Sequence, residues 1–175
     1  MTRRLFTALA LGLGVLALVA RVNAQPPGSP HETVKATVGG ASISVEYGRP
    51  YMRGRKIMGS LVPYGQVWRT GADAATTLST SKALVIGGAE VPSGKVTLFT
   101  LPAEAGWKLI INKQTGQWGL AYDPKQDLGR VKMTMSKPPA LVETLKYTLA
   151  DKGQGQGELR LEWEHHVATV PITVK

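Results

Sequence analysis

The sequence has 175 residues, with 21 Lys and Arg against 12 Asp and Glu, and a net charge of +9. It has no cysteine, which excludes disulfides, thiolate metal sites, iron–sulfur clusters and a cysteine nucleophile. The length suits one domain with its own hydrophobic core. Its 20 Gly, 11 Pro and lack of long helical periodicity point to short strands joined by tight turns.

The chain opens with Arg3 and Arg4, then an apolar run from Leu5 to Ala20, then the small-residue site Val22-Asn23-Ala24. This order predicts a signal peptide over 1–24, cleaved after Ala24. The run is shorter than the ~20 residues a spanning helix needs, and Pro-rich chain follows, so no membrane span is predicted. Thr2-Arg3-Arg4-Leu5-Phe6 resembles a twin-arginine signal, a second route beside the general secretory one. No Cys is present to carry a lipid anchor. The expected location is periplasmic or secreted. Cleavage removes Arg3, Arg4 and Arg21, which lowers the charge from +9 to +6. A basic exported protein favours anionic partners such as lipid headgroups, acidic glycans or small carboxylates over nucleic acid.

Residues 25–32 read as a flexible lead, and 33–175 as one domain. Thr33 to Val38 is the first predicted strand. Ser42 to Tyr47 alternates strictly and puts Ile43, Val45 and Tyr47 on one face. The next stretch, Tyr47 to Ala72, is basic and aromatic, with one helical turn expected near Lys56 to Leu61. Strands are predicted at Gln66–Thr70, Thr76–Thr80, Leu84–Ile86 and Ala89–Val91, with Gly87-Gly88 as a two-residue hairpin turn. Lys95–Leu101, Trp107–Asn112, Gln117–Tyr122, Val131–Met135 and Thr144–Leu149 continue the series. Lys152 to Gly157 is a flexible hairpin tip. Glu158 to Glu164 alternates, with Leu159, Leu161 and Trp163 inward and its four charges in water. Val167–Val174 closes the chain, with Pro171 marking an edge strand or a bulge. The fold predicted is all-β: an antiparallel β-sandwich, jelly-roll-like or barrel-like, with at most short helical turns.

The stretches SVEYGRPYMRGRKIMGSLVPYGQVWRTGADAATTL, INKQTGQWGLAYDPKQDLGRV and LRLEWE resemble the bacterial domain-of-unknown-function 2911 family over nearly all of the chain after residue 24. The resemblance implies an exported all-β domain and carries over no catalytic residues. Asp73-Ala74 stands where that family more often shows Asn-Glu.

Standard catalytic and metal motifs fail on their spacing. His31-Glu32-Thr33-Val34-Lys35 lacks the second His of a zinc helix. His165 and His166 are adjacent on a strand and face opposite ways. Ser79 to Lys82 matches a serine–lysine spacing but reads as a strand end, without its companion motifs. Gly88 to Lys95 is one residue too long for a phosphate loop. Asp123 and Asp127 suit loop capping better than calcium. No metal or cofactor is predicted.

The basic segment therefore holds the candidate site. Arg49, Arg53, Arg55, Lys56 and Arg69 occur there with no acid before Asp73, interleaved with Tyr51, Tyr64 and Trp68. Arg forks pair with carboxylate or phosphate, and aromatic faces stack on rings or cations. The site residues expected are Arg49 and Arg69 as anion donors, Tyr51, Tyr64 and Trp68 as walls, and Asp73 and Asn112 as polar orienters. Arg53, Arg55 and Lys56 read as solvated loop. In a competing structural reading, Arg69 simply pairs with Asp73 and Trp68 packs in the core. The function expected is non-enzymatic binding of an anionic or polyhydroxylated ligand or an envelope partner. A hydrolase or lyase using Asp73, with Arg49 and Arg69 as anion stabilisers, is the alternative. Nothing in the sequence sets the oligomeric state.

Overall fold

The structure is a computed structural model describing residues 28–175. The predicted signal peptide and residues 25–27 of the lead lie outside the described residues. Two antiparallel sheets face each other. The first contains β1 (His31–Val38), β2 (Ala41–Gly48), β3 (Ala72–Thr80), β6 (Gly94–Leu101), β7 (Lys108–Asn112) and β8 (Asp127–Lys132), hydrogen-bonded in that order. The second runs β10 (Val142–Gly153), β11 (Gln156–Glu164), β12 (His166–Val174), β4 (Leu84–Ile86) and β5 (Ala89–Val91), with β9 (Thr134–Ser136) also paired to β12. β1 approaches β10 at one side and β5 approaches β8 at the other. The two sheets stay separate, so the molecule is a sandwich and the barrel-like alternative is not realised.

Period-two alternation builds the core. Ile43, Val45 and Tyr47 of β2 are buried, and so are Leu159, Leu161 and Trp163 of β11 facing them from the other sheet. Tight turns fix the registers. Gly39-Gly40, Gly87-Gly88 and Gln154-Gly155 are two-residue hairpin loops, each with both residues at positive φ. Gly87 is further constrained, since a Cβ there would come within 2.8 Å of Val170.

Several expectations are corrected. β1 begins at His31 inside the expected lead, because His31 pairs with Gly48 and the Arg49 amide donates to Pro30 O at 2.7 Å. Gln66–Thr70 is irregular, holding one bridge from Trp68 to Thr100. Gln117–Tyr122 is likewise irregular, with a single bridge from Trp118 to Ala74. Lys56–Leu61 forms turns rather than a helical turn. The expected Val131–Met135 strand splits between β8 and β9 at Met133, whose amide donates to Trp107 O. β12 is paired on both sides, so Pro171 marks neither an edge strand nor a bulge. Its carbonyl accepts from the Gly87 amide, away from β11, and its nitrogen faces the same way. That side falls between the β9 pairing, ending at Thr169, and the β4 pairing, starting at Ile172, so no ladder bond is lost.

The outer face of the first sheet carries a smaller buried cluster. Phe99 packs edge-on against Tyr122 at 4.9 Å, beneath the connection between β7 and β8. Buried Asn112 ties this connection down. Its Nδ2 donates to Asp123 O and Asp127 Oδ1, both at 2.9 Å, and its Oδ1 accepts from the Gln114 amide. Asp123 caps the 3-10 turn Pro124–Gln126 by accepting from the Lys125 amide.

Candidate functional site

The chain between Gly48 and Ala72 leaves the first sheet, crosses one end of the sandwich and returns. Such a long excursion needs its own anchors. Pro50 and Met52 pair with β10 through Leu145 N–H to Pro50 O at 3.0 Å and Met52 N–H to Glu143 O at 2.8 Å. The Arg53 amide donates to Glu143 Oε1 at 2.8 Å. Ile57, Met58 and Val62 plunge into the core. Gly65 donates to Pro102 O, and Trp68 exchanges two backbone bonds with Thr100.

The central anchor is Glu164. Its carboxylate accepts from the amides of Ile57 at 2.9 Å and Met58 at 3.1 Å. The alternation of β11 placed Glu164 in water, yet it is buried. The reason is the two-residue turn Glu164-His165, in which Glu164 takes a left-handed φ of 55° and breaks the strand's period. A buried carboxylate is tolerable here because two amides satisfy it.

The excursion walls a cleft of about 600 Å³. Three guanidinium side chains line it: Arg53, Arg55 and Arg69. Arg55 is held by backbone, Nε donating to Met52 O at 2.9 Å and one terminal nitrogen to Tyr51 O at 2.8 Å. Arg69 Nε donates to Gly71 O at 3.1 Å. Neither forms an ion pair with a carboxylate among the described residues. Carbonyl partners orient a guanidinium without cancelling its charge. Arg53 lies 5.7 Å from the Tyr51 ring centroid, a cation–π distance.

Aromatic packing forms the floor. Trp68 stacks on Trp163 at 5.6 Å and 17°, and meets Trp107 edge-on at 6.2 Å. Trp107 in turn stacks on His166 at 5.7 Å. His166 Nδ1 is buried 3.7 Å from Glu164 Oε2. Burial holds the imidazole below its usual range, opposed by the Glu164 charge and reinforced by His165 and Lys137.

The structure brings four of the expected site residues together: Tyr51, Trp68, Arg69 and Asp73 all line the cleft. A regular strand would have sent Trp68 and Arg69 to opposite faces. They share the cleft because this stretch is not a regular strand: Trp68 holds one bridge, Arg69 none, and the chain turns at Thr70, at φ 53°, before entering β3. The register slips there, Glu46 pairing with Thr77 but Gly48 with Ala72. Asp73 does not pair with Arg69; its Oδ2 lies 3.5 Å from His31 Nε2.

The other three lie elsewhere. Arg49 is outside the cleft, donating Nε–H to Leu145 O at 3.1 Å and pairing with Glu32 at 3.2 Å. Tyr64 covers Gly59 and lines a separate hollow with Trp107 and His166. Asn112 is saturated internally in the β7–β8 connection. That connection nonetheless reaches the cleft, because Gly119 N–H donates to Asp73 O at 3.0 Å and Leu120 joins the lining. Gly119 packs so closely that a Cβ would sit 2.5 Å from Arg69 Cδ. Arg53 and Arg55 are exposed loop residues, as the sequence reading has them, and also line the cleft; sequence reasoning missed Glu164, Gly119, Leu61 and Leu120. No local pattern marks Glu164 or Gly119, since their partners Ile57, Met58 and Asp73 are distant in the chain.

Among the described residues no group of His, Asp and Glu is arranged to hold a metal ion. No helix among them is long and apolar enough to cross a membrane. With the sandwich and its cleft defined, the chain can be placed among all-β domains. It belongs to the family described as "Protein of unknown function (DUF2911)", whose model matches residues 29–172. No curated protein and no solved structure matches the chain.

Proposed function

We propose that this chain is an exported binding protein that takes a small anionic ligand into the cleft beneath the Gly48–Ala72 excursion. The export part rests on the basic start, the apolar run Leu5–Ala20 and the site Val22-Asn23-Ala24. The observation that carries the binding part is the pairing of Arg55 and Arg69 with backbone carbonyls. They present oriented, un-neutralised charge to a concave space of ligand size. An anion is favoured over a polyhydroxylated ligand by the remaining polar side chains of the lining. Ser29, Tyr51, Gln66 and Asp73 are few, and Asp73 is turned to His31.

The test is calorimetric titration of the full chain with inorganic phosphate, sulfate, acetate and citrate at low salt. Saturable binding of at least one anion is expected, weakening as salt rises. Charge-assisted bonds are worth roughly 1.5–3 kcal/mol each. Arg69→Gln should therefore lower affinity about tenfold or more, and Arg69→Lys should recover part of it. Arg160→Gln, on β11 and paired with Glu162, should leave affinity unchanged. No saturable anion, or equal binding by Arg69→Gln, would refute the reading.

A further inference from the structure

The cleft's apolar rim carries the reading above one step further, and the inference rests on that reading. Seven large hydrophobic side chains are exposed among the described residues, and four of them line this one cleft. They are Tyr51 at 37%, Leu61 at 48%, Val67 at 36% and Leu120 at 75% exposure. They come from two separate connections, β2–β3 and β7–β8, so the clustering is not a local accident of sequence. Exposed apolar groups gathered around a concavity mark a surface that something covers. The same concavity holds Arg53, Arg55 and Arg69.

A second copy of the chain fits this surface poorly. A two-fold contact through the cleft would set one arginine cluster against the other. A fully polar anion would leave Leu61 and Leu120 in water. One ligand chemistry satisfies both halves of the lining. We propose that the cleft takes single molecules of an anionic amphiphile, with its phosphate or carboxylate head on Arg55 and Arg69. Its alkyl chain lies along Leu61, Val67 and Leu120, over the Trp68–Trp163 floor. Such a molecule could arrive free or be drawn from a lipid surface, and the chemistry of recognition is the same.

The experiment titrates the full chain with ethyl, butyl, hexyl and octyl phosphate below their aggregation concentrations, following tryptophan fluorescence. Trp68 and Trp163 line the cleft and report directly. Each buried methylene should tighten binding roughly two- to fourfold until the chain outgrows the cleft. Leu120→Ser and Leu61→Ser, both at exposed positions, should flatten that dependence, so that octyl phosphate loses far more affinity than ethyl phosphate. Arg69→Gln should weaken every member by a similar factor. Ethyl phosphate binding with no chain-length dependence overturns this inference and leaves the anion reading standing. Octanol binding as well as octyl phosphate overturns the anion reading itself, and the inference with it. Sedimentation with phosphatidylglycerol vesicles separates the sources. Binding to vesicles with no response to monomeric octyl phosphate overturns the single-molecule site in favour of a bilayer-docking surface.

Discussion

At the scale of single residues, Glu164 and Gly119 decide the shape of the cleft without belonging to its charged lining. Glu164→Ala leaves the Ile57 and Met58 amides without their acceptor. It should cost about 2–5 kcal/mol, read as a fall in the urea midpoint. Gly119→Ala forces a Cβ to within 2.5 Å of Arg69 Cδ and 2.7 Å of Asp73 O. It should cost about 1–3 kcal/mol and also weaken anion affinity, because Arg69 must give way. Tyr147 is a third such residue. Its hydroxyl donates to Thr70 O at 3.2 Å, and burial pushes the phenol far above its usual range. The Thr76 hydroxyl bonds the same carbonyl, so Tyr147→Phe should cost only about 0.5–1.5 kcal/mol by thermal unfolding.

His166 gives the residue-scale pH prediction. Burial lowers its folded value, so the unfolded chain holds the proton more tightly. Its contribution to stability is whole above the unfolded imidazole value of about 6.5 and is lost as pH falls through the lower folded one. The neighbouring Glu164 opposes the loss, while His165 and Lys137 add to it. Urea unfolding at pH 7.5 and pH 5 should show a larger drop in the wild type than in His166→Gln. Equal drops would remove His166 from the account.

At the scale of elements, what was legible follows from period. β2 and β11 each bury one face completely, so Ile43, Val45, Tyr47, Leu159, Leu161 and Trp163 announce themselves by alternation. Gly87-Gly88 announces its turn because both positions need positive φ. Gln66–Thr70 has strand-like composition, but its direction is set by Thr70 in the left-handed region and by bonds to Thr100. The roles of the cations depended on the same unseen geometry. Arg55 is loop surface, as it reads in sequence, but Met52 O and Tyr51 O orient its guanidinium where it lines the cleft. Arg49 reads as held in place and is, but by Glu32 and Leu145, outside the cleft lining. Arg49→Gln should therefore lower thermal stability modestly, by up to about 1 kcal/mol for a half-exposed pair, without the affinity loss of Arg69→Gln.

At the scale of the whole molecule, the sandwich works as a frame that brings distant connections to one end. β10 and β11 of the second sheet anchor the basic excursion through Glu143 and Glu164. The β7–β8 connection of the first sheet, pinned by Asn112, adds Leu120 to the lining and packs Gly119 against Arg69. Both sheets must be in place for Arg55, Arg69, Leu61 and Leu120 to converge, so the cleft reports on the intact fold. The most direct test is a crystal structure of the full chain grown with octyl phosphate. The account predicts the phosphate within hydrogen-bond distance of the Arg55 and Arg69 guanidinium groups, with the alkyl chain against Leu61 and Leu120. An empty cleft under saturating ligand, or a phosphate held elsewhere on the surface, would contradict it.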